Sequence, residues 1–229
     1  MAPLWCVIPA AGRGTRVGGD CPKQYLPLAG RALMMHTIER LAAHPRIAGL
    51  LVVLAADDAR WPGFDSLHGK PVLTTAGGGE RADSVLAGLR ALPAEVAAGD
   101  FVLVHDAARP CVRAGDIDRL LDAASGGDGG LLGAPLRDTL KRADGQGRST
   151  LTEPREQRWR AFTPQMFRRG QLVAALQAAS HQGVLVSDEA MAMERAGYAP
   201  LLVEGAEDNI KVTTAADFAL AEFLLTRTA

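Results

Sequence analysis

Short apolar runs alternate along this chain with segments of helical period, and that alternation constrains the fold more than any other feature. Runs at Leu4 to Pro9, Leu50 to Leu54, Val72 to Thr75, Phe101 to His105 and Leu131 to Pro135 have the length of buried strands. Between and after them, three groups recur at helical spacing: Val85, Leu86, Leu89 and Leu92; Ile117, Leu120, Leu121 and Ala124; Leu172, Val173 and Leu176. Further helices are expected over Asp188 to Ala196 and around Phe218, Ala221 and Leu225. The last is opened by Thr214 with Asp217 three residues on, a capping-box spacing. Strands that feed helices in this way predict an α/β fold, a Rossmann-like, doubly wound and mostly parallel sheet. With 229 residues and 48% hydrophobic content, one domain over 1–229 is long enough to bury a full core.

Charge and cysteine usage exclude several classes. A formal net charge of -1 gives no basic field for a nucleic acid, so a polyanionic ligand must be met by local clusters. No run of 18 apolar residues suggests a membrane span, and the first residues lack a secretion signal, so a cytoplasmic protein is expected. Cys6, Cys21 and Cys111 are too few and too scattered for a disulfide framework or paired metal-ligand motifs. No internal repeat is present.

One segment interrupts the alternation. Residues 137–160 carry Arg137, Asp138, Lys141, Arg142, Asp144, Arg148, Glu153, Arg155, Glu156, Arg158 and Arg160, which cannot be core. Gly145, Gln146 and Gly147 mark a turn that divides it into two strands, and an isolated two-stranded ribbon is marginal in water unless it packs on something. The segment reads as a β-arm insertion held by a partner subunit, or as a solvated loop.

The stretch after the first strand is the most informative: Pro9, Ala10, Ala11, Gly12, Arg13, Gly14, Thr15, Arg16, then Gly18, Gly19, Asp20, Cys21, Pro22, Lys23 and Gln24. Small residues beyond a strand end let backbone N–H groups approach phosphate. This is not a dinucleotide fingerprint, because Val17 stands at the third glycine position, so a nicotinamide-dependent enzyme loses its main support. Nor is it a P-loop, because Asp20 stands where the lysine must be.

Gly-x-Gly-x-Arg followed by Pro-Lys-Gln resembles the signature of nucleotidyltransferases that activate sugar phosphates. Pro9 to Gly12, Glu80 to Val85, His105 to Pro110, Thr163 to Gln165 and Asp208 to Thr213 come in the order and spacing of one family. From about Val7 to about Phe223 the chain resembles the 2-C-methyl-D-erythritol 4-phosphate cytidylyltransferases of the non-mevalonate isoprenoid pathway. That resemblance implies transfer of CMP from CTP to a polyol phosphate, with Mg2+ as cofactor and pyrophosphate as the second product. The acceptor is then its own nucleophile: a phosphate monoester has a second pKa of about 6 and is largely dianionic at pH 7. Positioning and charge neutralisation carry the reaction, with no activated serine, cysteine or general base.

The resemblance assigns Arg16 and Lys23 to the charge developing at the α-phosphate. Ala10, Ala11, Gly12, Gly14, Gly78 and Ser84 go to the nucleotide, with Ala107 near the sugar. Arg155 and Lys211 go to the acceptor phosphate, helped by Thr139, Thr163 and Ser187, with Arg109 nearby. Asp106 is expected to touch the metal, the ribose or the acceptor, and magnesium to be held mainly through the CTP phosphates. Asp208 is a weaker candidate for which a cap or ion pair serves equally, and His105 is expected to be packed rather than catalytic. On residue type alone, Lys23 and Arg16 are solvated loop charges, Arg155 is one more exposed charge and Ser84 a helix-start serine. In this family the arm exchanges between subunits, which implies a homodimer in which Thr139 and Arg155 reach the partner's site. Gly79 and Ser187 depart from the family pattern, where an acid and a threonine are usual, and Pro154 is unusual before Arg155. A ribitol 5-phosphate cytidylyltransferase and a non-catalytic nucleotide-binding module are the alternatives.

Overall fold

The computed structural model describes residues 3–12 and 21–227. In chain order these form β1 (Leu4–Pro9), a 3-10 turn (Lys23–Tyr25), β2 (Pro27–Leu28), β3 (Arg31–Ala32), α1 (Leu33–Ala43), β4 (Ile47–Leu54), β5 (Ser66–Leu67) and β6 (Lys70–Ala76). There follow α2 (Arg81–Ala91), β7 (Phe101–Val104), α3 (Ala114–Ala124), β8 (Gly130–Pro135), β9 (Leu140–Ala143) and β10 (Ser149–Glu153). The chain continues through β11 (Trp159–Arg168), α4 (Arg169–His181), α5 (Glu189–Arg195), β12 (Leu201–Glu204) and α6 (Ala215–Arg227). No helix among the described residues is long and apolar enough to cross a membrane.

Eight strands form one sheet in the order β12-β8-β11-β7-β1-β4-β6-β5. β1 pairs in parallel with both β4 and β7, β4 with β6, and β12 with β8. β11 runs antiparallel between β7 and β8. The chain winds outward from β1 through β4 to β6 and then returns to the other side of β1 with β7. The reversal leaves a crevice at the carboxyl ends of β1 and β7, where ligands of open α/β sheets sit.

Alternation along the central strands builds two cores. Cys6, Ile8, Leu50, Val52 and Leu54 face α1 and α3, where Met34, Ile38, Leu41, Ile117 and Leu120 cover them. Trp5, Val7, Leu51 and Val53 face the other layer, Val85 and Leu89 of α2, Leu172 and Leu176 of α4, and Met193 of α5. A smaller cluster seats α6 through Ala221 and Leu225 on Leu28, Leu33 and Val212.

The expected strands and helices are all present, within a few residues at their ends. Thr214 and Asp217 make the expected capping box: the Asp217 carboxylate accepts from Thr214 N–H at 2.8 Å and Thr214 Oγ1 accepts from Asp217 N–H at 3.3 Å. The sequence pattern did not signal α1, β11 or β12, nor the two-residue strands β2, β3 and β5 and the 3-10 turn. β9 and β10 pair antiparallel around the turn at 145–147, so the charged segment is a hairpin, although Trp159 and Arg160 already belong to β11 of the main sheet.

Gly88 is where α2 meets the sheet. A Cβ there lies 2.6 Å from Val7 Cγ1 and 2.8 Å from Val53 Cγ2, both buried and β-branched, so neither swings aside. Alanine gains about 1 kcal/mol in helix propensity, while overpacking costs about 1–3 kcal/mol. Gly88→Ala is therefore expected to lower the unfolding free energy by about 1 kcal/mol, read from the urea midpoint at unchanged slope.

Candidate active site

Five segments converge at the crevice. The chain leaving β1 is held in register beyond the strand by Ala10 N–H donating to Val53 O at 2.8 Å. Gln24, buried behind the 3-10 turn, donates from Nε2 to Ala10 O at 2.6 Å and so brings the two sides of the glycine loop together. Lys23, beside it, donates from Nζ to Val212 O at 2.9 Å. Val212 N–H donates in turn to Ala108 O at 2.8 Å, which fixes Lys211 next to the end of β7.

The segment after β6 is built to be tight. A Cβ on Gly78 lies 2.4 Å from Asp83 Cβ, so a side chain is excluded there. Gly78 N–H donates to Ser84 Oγ at 3.2 Å, and that hydroxyl donates to Glu80 O at 3.1 Å. Glu80 and Asp83 make the capping box that starts α2. Ser84 thus shapes the loop rather than capping the helix.

The result is a cleft of about 270 Å³ bordered by Ala10, Gly12, Lys23, Gly78, Asp106 and Lys211, with Ala11, Ser84 and Ala107 also on its wall. A second cleft of about 230 Å³ adjoins it, lined by Arg109, Thr163 and Ser187 among others. Arg81, Asp106 and Lys211 line both.

The wall between the clefts is ionic. Asp106 accepts from Arg81 Nε at 2.8 Å on Oδ1 and faces Lys211 Nζ at 2.8 Å and Arg109 Nε at 3.7 Å on Oδ2. Burial opposes the ionised carboxylate, but Arg81, Lys211 and Arg109 outweigh it and hold its pKa far below the ordinary range. Burial likewise opposes the charge on Arg81, and Glu189 and Asp106 more than compensate, raising its pKa. Glu189 is fully buried and takes both terminal nitrogens of Arg81, at 2.6 and 3.1 Å.

The sequence pattern of the IspD family, 2-C-methyl-D-erythritol 4-phosphate cytidylyltransferase, matches residues 4–227. A protein of that name from Xanthomonas campestris pv. campestris strain 8004 is 61% identical over 223 residues, 97% of this chain and 84% of its own. The chain belongs to the 2-C-methyl-D-erythritol 4-phosphate cytidylyltransferase family. Among solved structures, the Francisella tularensis 2-C-methyl-D-erythritol 4-phosphate cytidylyltransferase superposes with a TM-score of 0.84 at 31% identity, covering 97% of this chain and 99% of that one. The enzyme of the same name from Thermus thermophilus gives 0.78 at 33% identity, covering 98% and 99%.

Within this cytidylyltransferase fold most of the expected site residues meet. Ala10, Ala11, Gly12, Lys23, Gly78, Ser84, Asp106, Ala107 and Lys211 border the first cleft, and Asp106, Arg109, Thr163, Ser187 and Lys211 the second. Gly14 and Arg16 lie outside the described residues. Thr139 and Arg155 are exposed on the arm segment and border neither cleft; Arg155 donates to Arg137 O. Arg109 points inward, donating to Asn209 O at 2.7 Å and Ala161 O at 3.4 Å. Asp208 pairs with Arg113, the ion-pair role allowed for it. Both oxygens of Asp106 face cations, and the described residues hold no cluster of three candidate ligands. A side chain at Gly79 meets open space.

Arg81 and Glu189 were missed. Arg81 stood in a recognised motif with no role, and only its pairing with Glu189, 108 positions away, reveals one.

His105 is packed as expected. Its Nε2 lies 3.2 Å from Arg109 O, which can only accept, so Nε2 carries the proton and Nδ1 accepts from the Thr163 hydroxyl at 3.0 Å. Burial pushes its pKa down from 6.5 to about 4. The unfolded chain therefore binds one more proton than the folded one between these values. The stabilisation is complete above pH 6.5 and about 3 kcal/mol of it is lost as pH falls toward 4. Urea unfolding from pH 7 to 4.5 is expected to show this slope, and His105→Gln, which cannot titrate, to flatten it.

Proposed function

We propose that this chain transfers CMP from CTP to 2-C-methyl-D-erythritol 4-phosphate, giving 4-diphosphocytidyl-2-C-methyl-D-erythritol and pyrophosphate. The observation that carries the reading is the pair of clefts that share an ionic wall at the switch point of the sheet. The first, edged by small residues and Lys23, takes the nucleotide. The second, edged by Arg109, Thr163, Ser187 and Lys211, takes the polyol phosphate. Membership of the family supports the same pairing of substrates.

A phosphate oxygen of the acceptor attacks the α-phosphorus of CTP; the bond from that phosphorus to the oxygen leading to the β-phosphate breaks, and pyrophosphate leaves with the electron pair. The chain's part is to hold two polyanions in line and to meet the charge that grows on the leaving group. Lys23 lies at the nucleotide side, where its ammonium exchanges the Val212 carbonyl for phosphate. Lys211 lies at the wall, where it meets the acceptor phosphate as a point charge. Magnesium, when present on the CTP phosphates, supplies further charge neutralisation, and Asp106 serves as the counter-ion of the cationic wall rather than as a metal ligand.

We further propose a homodimer in which the hairpin of β9 and β10 crosses to a partner subunit, bringing Thr139 and Arg155 to that subunit's acceptor cleft. The exposed Leu151 on β10 and the position of Arg155 outside both clefts among the described residues support this. The reaction is placed in the cytoplasm, in keeping with three free cysteines.

The reading is tested by pyrophosphate release with CTP, Mg2+ and a panel of polyol phosphates. Methylerythritol phosphate is expected to be preferred, and preference for ribitol 5-phosphate overturns the acceptor assignment. Lys23→Ala is expected to lower kcat by about 100-fold or more while changing the KM for CTP much less, because its contact strengthens in the transition state. Equal losses in both make it a binding residue only. Arg155→Ala and Lys211→Ala chains are each expected to be poorly active alone. Verified heterodimers of the two regain one intact site of two, about half of normal activity, and failure to do so defeats subunit exchange.

A further inference from the structure

The ionic wall is oriented from behind. Glu189, in the first turn of α5, occupies the fork of Arg81: Nη1 donates at 2.6 Å and Nη2 at 3.1 Å. With its terminal nitrogens held by that carboxylate, Arg81 donates from Nε to Oδ1 of Asp106. Oδ2 of Asp106 faces Lys211, 2.8 Å away. An arginine fork favours two parallel hydrogen bonds to one carboxylate. Without the charge of Glu189, the fork is free to close on Asp106 and draw Oδ2 away from Lys211. The pair also spans the site, since Arg81 opens α2 just after the nucleotide-side glycines, and Glu189 follows Ser187 and Asp188 of the acceptor cleft.

We infer that Glu189 is a positioning residue for the transfer reaction: through Arg81 it sets the rotation of the Asp106 carboxylate and so holds the Lys211 ammonium at the acceptor side of the wall. The inference rests on the two-cleft reading above. Its consequence is selective, because Glu189 directly follows Ser187 and Asp188 of the acceptor cleft and is not among the described residues that line the nucleotide cleft.

Glu189→Gln keeps the shape and removes the charge. With CTP and methylerythritol phosphate varied in turn, the acceptor KM is expected to rise about tenfold or more, by misplacement of Lys211. The KM for CTP and the fraction of enzyme that binds CTP by calorimetry are expected to stay within about twofold. Glu189→Asp, which keeps the charge on a shorter stem, falls between wild type and Glu189→Gln. Arg81→Lys has no fork, so in that background Glu189→Gln is expected to add less than about twofold to the acceptor KM. A glutamate that only supports the fold lowers the active fraction and leaves both KM values alone. That result, equal rises in both KM values, or a full additive effect in the Arg81→Lys background overturns the inference. If Glu189→Gln does not fold, Glu189→Asp with and without Arg81→Lys makes the same comparison. A wild-type chain that binds CTP but releases no pyrophosphate with any polyol phosphate overturns the functional reading and this inference with it, whereas an active wild type with an unmoved acceptor KM overturns this inference alone.

Discussion

Asp106 is a buried carboxylate that stays ionised because Arg81, Arg109 and Lys211 surround it, and both clefts are shaped around that arrangement. Removing one partner of such a pair leaves a buried charge uncompensated, at a cost of about 3–5 kcal/mol. The segments that supply the four residues are therefore held to one another: the start of α2, the loop after β7 and the stretch before α6. Those are also the segments that border the clefts. The same interaction fastens the fold at the sheet's switch point and defines the site.

The arrangement answers a problem that any enzyme joining two phosphates must meet. Cations gathered for two polyanionic substrates repel each other when the substrates are away. Here Arg81, Arg109 and Lys211 are balanced in part by Asp106 and Glu189, so they remain in place without ligand. Electrostatic stabilisation of this kind is effective because the groups are oriented before charge develops. Lys211 is the most exposed cation of the set, with 39% of its side chain accessible, and Arg81 has 25%. The group most free to turn to a substrate phosphate is thus Lys211 rather than Arg81, whose terminal nitrogens the buried glutamate holds.

Much of this was legible in the sequence, and the parts that were not have physical reasons. The central parallel strands β1, β4 and β7 read as apolar runs because both their faces are buried, and α6 announced itself through Thr214 and Asp217. β11 was obscured because it begins in charged residues and contains Pro164, which falls where its pairing with β8 is irregular. α1 starts at Ala32 with no side-chain cap, so no start signal precedes it. The glycine loop, Lys23 and Lys211 were found through motifs. Glu189 was not, since a buried acid shows itself only by its partner, and no periodicity joins α2 to α5.

The arm presents the opposite case, a local structure readable in sequence whose support is not local. Residues 140–153 form a two-stranded ribbon paired only with itself, and nearly all of its side chains are exposed. A lone hairpin of this length is marginal in water. Its cross-strand contacts, Lys141 with Thr152 at 2.6 Å and Arg142 with Glu153 at 2.7 Å, are surface interactions of about 0.2–1 kcal/mol each. Leu151, a large apolar side chain, is left 51% exposed. Such a ribbon gains order chiefly by covering Leu151 and pairing its charges elsewhere, and in the proposed homodimer a second copy of this chain supplies that surface and gives Arg155 a phosphate to meet. In the proposed dimer, the arm's weak intrinsic stability and the position of Arg155 outside both clefts among the described residues have one cause.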